Sequence, residues 1–355
     1  MGKPVAEVHA VRISSEPAQL QALHPLLQRV QDAVDDVPAL LAIAGDVGST
    51  APHPGQGNTA QLWEVLASVA AVDVAAARIL EPHLDALHIH AQAGLPAPTG
   101  TWGVFAAEGP GMQLAAEAGH GVVLDGSKPW CSLAAVLDGA VVTAHLPDGQ
   151  GRAAFAVDLK HPGVSCEDPD WTSRGLKEIP SGTVHFHQVP ATPLQSAGWY
   201  HQRPGFAWGG MGVAACWFGG AVALARDFAD SLTTAAERGR EPDQLALAHL
   251  GEVDRLIGAV ASTLARAAER IDAWDSDEPA GSSHWSEALR VRGTVAAAVE
   301  RIQTVVTQNL GPAPLAFNDT YGKRMADLSL YIRQHHGMRD DSQLGALTFK
   351  GDREW

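Results

Sequence analysis

The hydrophobic pattern of this chain changes period twice, and that constrains its fold more than any other feature. From about Pro17 to Ala93, Ala, Leu and Val recur at helical spacing. Leu20, Leu23, Leu26, Leu27 and Val30 form one apolar stripe, and Leu62, Val65, Leu66 and Val69 begin another at i, i+3, i+4 and i+7. Residues 51–59 between them are rich in Pro and Gly, with Asn58 or Thr59 placed to cap the next helix. The helical period stops at residues 94–100, Gly-Leu-Pro-Ala-Pro-Thr-Gly, which read as a boundary. From Thr101 to about Leu194 the signal is strand and turn. Residues 121–126 read as a strand entering an Asp-Gly turn, and residues 140–144, 153–157 and 183–186 as further short strands. From Ala207 to His336 Ala-rich helical runs return over residues 212–229, 245–273 and 286–308, with a polar break at 275–283. The expected fold is α+β and multidomain: an N-terminal helical domain (1–99), a middle β domain (100–197) and a C-terminal helical bundle (198–355), without internal repeats.

Charge and cysteine usage narrow the functional classes. With 25 Lys and Arg against 40 Asp and Glu, the formal charge is -15, which argues against general nucleic-acid binding. At 46% apolar and 18% charged residues the chain is an ordinary globular composition and not a disordered one. The longest apolar stretches, 66–79 and 213–225, are interrupted by charges or glycines and fall short of the roughly 20 residues of a membrane helix. The first residues lack the apolar core of a signal peptide. Cys131, Cys166 and Cys216 lie too far apart for a CxxC pair, so reduced thiols and a cytoplasmic protein are expected.

Several motifs then fall in a recognisable order. Phe105-Ala106-Ala107-Glu108-Gly109-Pro110-Gly111 is followed by Asp125-Gly126-Ser127-Lys128-Pro129-Trp130-Cys131-Ser132. His161-Pro162-Gly163-Val164 and Phe186-His187-Gln188-Val189-Pro190 come next, and Gln308-Asn309-Leu310-Gly311 and Ala326-Asp327 close the series. In order and spacing these resemble the acyl-CoA dehydrogenase superfamily, from about Leu62 onward. The resemblance implies an N-terminal helical domain, a middle β-barrel and a C-terminal four-helix bundle. It also implies FAD, α,β-dehydrogenation of an acyl thioester or action on another small molecule, and a homodimer or homotetramer, or else a hetero-oligomer. An isoalloxazine ring needs an apolar wall and donors to its polar edge. Trp130 is the expected wall, Ser132 and the Ala107 backbone the edge donors, and Gln308 and Gly311 the neighbours of the dinucleotide tail.

Three departures qualify that implication. The family's usual base, a Glu eight residues after the matched Asp, is replaced by His335, which becomes the candidate base or proton shuttle. The alternative site for that Glu corresponds to Trp208-Gly209-Gly210-Met211, which has no carboxylate. The flavin-tail loop lacks its Phe-Gly within Glu237–Gln244, and Gly311-Pro312-Ala313-Pro314 replaces a glycine-rich turn, which puts tight FAD binding in doubt. Two further readings therefore stand beside the dehydrogenase: a flavin-dependent monooxygenase of the same fold, and a flavin-free binding subunit. No metal site is expected. His83, His88 and His90 read as a solvated helix end, His335 and His336 as residues that can simply complement a helix C-terminus, and Cys131 as a small packed residue.

Overall fold

The computed structural model describes residues 8–118, 121–168, 170–274, 282–353 and 355. Most of the polar break expected at 275–283 lies outside them. The chain opens with five helices: α1 (Pro17–Gln21), α2 (His24–Asp32), α3 (Val37–Gly48), α4 (Thr59–Val72) and α5 (Val74–Gln92). Asp36 and Asp73 cap α3 and α5 by accepting the N–H groups of Ala39 and Ala76. Just before α1, residues 13–15 are tied to α4 by one buried carboxylate. Glu64 Oε1 accepts the backbone N–H groups of Ile13, Ser14 and Ser15 at 2.7–2.9 Å.

Seven strands follow: β1 (Trp102–Phe105), β2 (Leu114–Ala118), β3 (Val122–Ser132), β4 (Gly139–His145), β5 (Arg152–Asp158), β6 (Val164–Cys166) and β7 (Ser181–Pro193). The pairings β4–β2, β2–β3, β3–β7, β7–β5 and β5–β4 close a ring, with β1 alongside β4 and β6 alongside β7. A closed ring hides its edges, as the barrel reading requires. The expected Asp-Gly turn does not form. β3 runs through Gly126, where the ladder with β7 shifts register. Gly126 has φ +119°, and a Cβ there would overlap the Gln113 carbonyl, so this glycine makes a bulge and not a hairpin.

The C-terminal part holds α6 (Trp199–Gln202), α7 (Pro204–Glu237), α8 (Gln244–Asp272), α9 (Ser282–Leu310), α10 (Pro312–Phe317), α11 (Asp319–Tyr331) and α12 (Met338–Phe349). By length and composition α7 is apolar enough to cross a membrane, contrary to the reading of its sequence as too interrupted. Its apolar window is 89% buried against α4, α5, α8, α9 and α11, which makes it the central helix of the core. Close approach explains its glycines. A Cβ on Gly219 would overlap the Ala67 carbonyl of α4.

Candidate functional site

The two strongest motifs of the sequence meet on the barrel. Lys128 of β3, only 2% exposed, places Nζ 2.6 Å from Glu108 Oε1 and 2.9 Å from Thr143 Oγ1. His145 and Arg152 also approach the Glu108 carboxylate, both at 3.0 Å. Burial alone would raise this carboxyl, but hydrogen bonds from Lys128, His145 and Arg152 outweigh it and hold the group at about 2. Burial lowers the Lys128 ammonium, while its hydrogen bond to Glu108 and the charge of that carboxylate oppose the shift. A Cβ on Gly109 would touch Pro129, so the loop after β1 also packs on the residue preceding Trp130.

This contact presents Trp130. The β3–β7 ladder shifts register between Lys128 and Cys131, and Trp130 has φ +59° there. A bulky side chain in the left-handed region is strained, and the indole is 63% exposed instead of packed in the core. Next to it, Ser132 Oγ lies 3.0 Å from Arg78 Nη2 of α5 and 2.7 Å from Ser181 Oγ. Ala107 follows the end of β1 on exposed backbone, and among the described residues no protein acceptor takes its N–H. An exposed aromatic wall, a bonded hydroxyl pair and a free backbone donor thus gather at the seam between barrel and helices. These are the features a flavin ring requires.

Behind Arg78 lies a chamber of about 160 Å³ between α5, α6, α7, β1 and the turn after α11. Arg78, Glu81 and Asp85 project into it from successive turns of α5, with Tyr200, Arg203 and Gln334 opposite. Pro82 also lines it, and having no N–H it leaves the Arg78 carbonyl without its helical donor. Within the stretch Trp208–Met211, Gly209 and Gly210 line the same space. A Cβ on Gly209 would press on Asp85, so glycine here makes room for a carboxylate carried by α5. A second, aromatic chamber of about 30 Å³ adjoins at Glu81, Asp85 and Gly209, walled by His53, Trp63, His88 and Trp208. The loop carrying His53 is pinned to α8, since Asp272 accepts from Gly57 N–H and Thr59 Oγ1.

The two acids of α5 are not equivalent. Burial first, then repulsion from Asp85, pushes Glu81 up to about 8. Asp85 is also raised by burial, with Arg203 Nη2 at 3.9 Å opposing. Burial, Arg203 and His53 lower His88 to about 3, so the stacked His53–His88–Trp208 wall is neutral.

The other residues singled out in the sequence fall elsewhere. His335 follows the turn after α11; its Nε2 is 3.8 Å from Asp340 Oδ2 and beside Gly293 of α9. Its neighbour Gln334 lines the chamber instead. His336 Nδ1 is 3.2 Å from Asp340 Oδ1. Gln308 lines an open cleft of about 800 Å³ with Arg238, Arg240, His249 and Asn309, joining the two stretches compared with the flavin-tail motifs. Gly311, φ +69°, precedes α10 at the end of α9. Asp327 Oδ1 accepts Leu176 N–H at 2.6 Å, and Lys323 sits 2.7 Å from Asp73, Glu178 and Asp327. Those three acids have metal-like spacing, but the ammonium already occupies their centre.

One reading needs correction. His83, His88 and His90 are buried and not a solvated helix end: His83 Nδ1 accepts Trp102 N–H and His90 Nδ1 lies 3.0 Å from Ala86 O. Cys131 is packed as expected, its thiol pushed up to about 12 by burial. Glu81 and Asp85 were missed by the sequence reading. Their signal is the polar series Arg78, Glu81, Asp85 and His88 on one face of an otherwise Ala- and Leu-rich helix.

A helical lobe, a closed ring of strands and a helical bundle define the class of fold. Residues 104–189 match the family model of the acyl-CoA dehydrogenase middle domain, and the whole chain has the acyl-CoA dehydrogenase-like fold that the motif order implied. Among solved structures it is similar to KijD3 in complex with FMN and dTDP-3-amino-2,3,6-trideoxy-4-keto-3-methyl-D-glucose (17% identity, 99% of this chain and 98% of that one, TM-score 0.77). It is similar to a nitrososynthase from Micromonospora carbonacea var. africana (18%, 97% and 99%, TM-score 0.77). It is also similar to butyryl-CoA dehydrogenase from Megasphaera elsdenii (15%, 96% and 100%, TM-score 0.76). A search of curated protein sequences finds no significant match.

Proposed function

We propose that this protein is a flavin-dependent oxidoreductase acting on a small polar molecule, in the manner of a monooxygenase rather than an acyl-thioester dehydrogenase. The carrying observation is the chamber beside Ser132: small, lined by Arg78, Glu81, Asp85 and Arg203, and backed by the Trp63 and Trp208 wall. An unbranched acyl chain needs a long apolar channel, and about 30 Å³ behind Glu81 offers none. The fold does not choose between the reactions, because the nitrososynthase and the butyryl-CoA dehydrogenase resemble it equally well. The chamber does.

The protein's share is binding and orientation. Trp130 stacks the flavin, Ser132 and the Ala107 N–H bond its polar edge, and Arg78 fixes Ser132 toward α5. Gln308 and Gly311 hold the tail if the flavin is FAD. The flavin, when bound, supplies the redox chemistry. The assembly expected is a homo-oligomer, whose contacts would cover the exposed Phe317, Met338 and Phe349. Three unpaired thiols suit a reducing, cytoplasmic setting.

The test is electron transfer. Flavin-loaded protein should stay oxidised under anaerobic acyl-CoA and give oxygen-dependent product only when reduced flavin is supplied. Anaerobic bleaching by an acyl-CoA would restore the dehydrogenase reading.

A further inference from the structure

Glu81 is buried (8% exposed), yet among the described residues it has no hydrogen-bond or ion-pair partner. The cations around it are engaged elsewhere. Arg78 bonds Ser132, Arg203 bonds Gln92 Oε1 at 2.7 Å, and Arg292 donates to the carbonyls of Gly210 and Gln334 at 2.8 and 2.7 Å. The Arg203 Nε also lacks an acceptor, but it is closed off, whereas Glu81 lines both chambers. A buried carboxyl without a donor is costly, and a ligand that supplies positive charge meets that need. Neutral aromatic faces adjoin it, the surroundings that favour an organic cation.

We propose that the polar chamber is a binding site for a small organic amine, held as its ammonium ion between Glu81 and Asp85 with its carbon body against Tyr200, Phe206 and Val213. This inference rests on the reading of the same chamber as the substrate site and names its ligand class, but the titration needs no flavin, so failure of amine binding and failure of flavin binding are told apart. A cavity of about 150 Å³ is enough for a single aromatic ring, and the chamber is of that size.

The binding carries a protonic signature. Free Glu81 is protonated at pH 7, because burial and Asp85 hold it near 8. The other groups felt there are Arg78 on α5, Arg292 on α9, Cys216 on α7, Tyr331 on α11 and Tyr200 on α6. Burial raises Cys216, Tyr200 and Tyr331, which therefore remain neutral at pH 7. An ammonium ion that pairs with ionised Glu81 must expel its proton to solvent.

Calorimetric titration of the intact protein with benzylamine, in two pH 7 buffers of different ionisation heat, reads both affinity and proton release. Benzyl alcohol and benzoate serve as neutral and anionic counterparts. The expected result is binding of benzylamine alone, with nearly one proton released, and at least about a tenfold loss of affinity with no release in Glu81→Gln. Equal binding of benzyl alcohol or benzoate, absence of proton release, or no binding of benzylamine overturns the site. The buffer comparison on the parent protein decides the question even where Glu81→Gln fails to fold.

Discussion

Lys128 Nζ and Glu108 Oε1, 2.6 Å apart, join the loop after β1 to the strand that presents Trp130. The ammonium is enclosed and the carboxylate half open to solvent, so the contact works as a clamp on the seam rather than as surface charge. Lys128→Met should loosen both the Ala107 backbone and the Trp130 bulge. Flavin titration should show weaker binding in this variant by more than the fall in melting temperature explains.

The same clamp sets an acid limit. Glu108 is depressed in the folded state, so its contribution is present above its ordinary value of 4.5 and is lost as pH falls from there through about 2. Glu108→Gln should flatten the acid limb of the stability curve over that window, as followed by urea unfolding at several pH values. An unchanged limb would assign acid unfolding to other carboxylates.

Trp130 separates binding from folding. Its exposed indole stabilises the free protein little, so Trp130→Ala should leave the melting temperature nearly unchanged. Flavin affinity should fall roughly tenfold to a hundredfold through lost stacking and apolar burial. A large loss of stability with intact affinity would make Trp130 a structural residue.

Lys323 predicts the opposite pattern. Burial pushes Asp327 up to about 6 despite Lys323 beside it, while the surrounding carboxylates raise the Lys323 ammonium above its ordinary value. Lys323→Met leaves Asp73, Glu178 and Asp327 without their shared cation, and should cost about 3–5 kcal/mol near neutral pH. The deficit should shrink as pH falls, because without Lys323 the buried Asp327 takes up a proton more readily than in the parent protein. Chemical unfolding at pH 5 and pH 8 checks the sign.

His335 and Glu81 can be told apart by the same benzylamine titration. His335 packs toward Asp340 and Gly293, so His335→Ala should lower stability while leaving amine binding within about threefold. A loss as large as that of Glu81→Gln would return His335 to the site.

Much of this was legible beforehand. Helix and strand periods located α4, α7, α8, α9, β4 and β5, because each buries a regular face. β1 and β2 went unread. The Asp-Gly pair misled because a glycine with positive φ serves a bulge as well as a turn. Trp130 and Ser132, the proposed flavin contacts, could be singled out because they lie close in sequence. The chamber was not: its walls come from α5, α6, α7 and the turn after α11, and only folding brings Glu81 next to Gly209 and Gln334. Nor does sequence show that His335 faces away while Gln334 faces in.

The most direct test of the central claim is the visible spectrum of the purified protein after incubation with FMN or FAD and removal of unbound flavin. The account predicts a retained oxidised-flavin band that is lost or much reduced in Trp130→Ala at equal folding. A colourless parent protein with no titration signal for either flavin would contradict it.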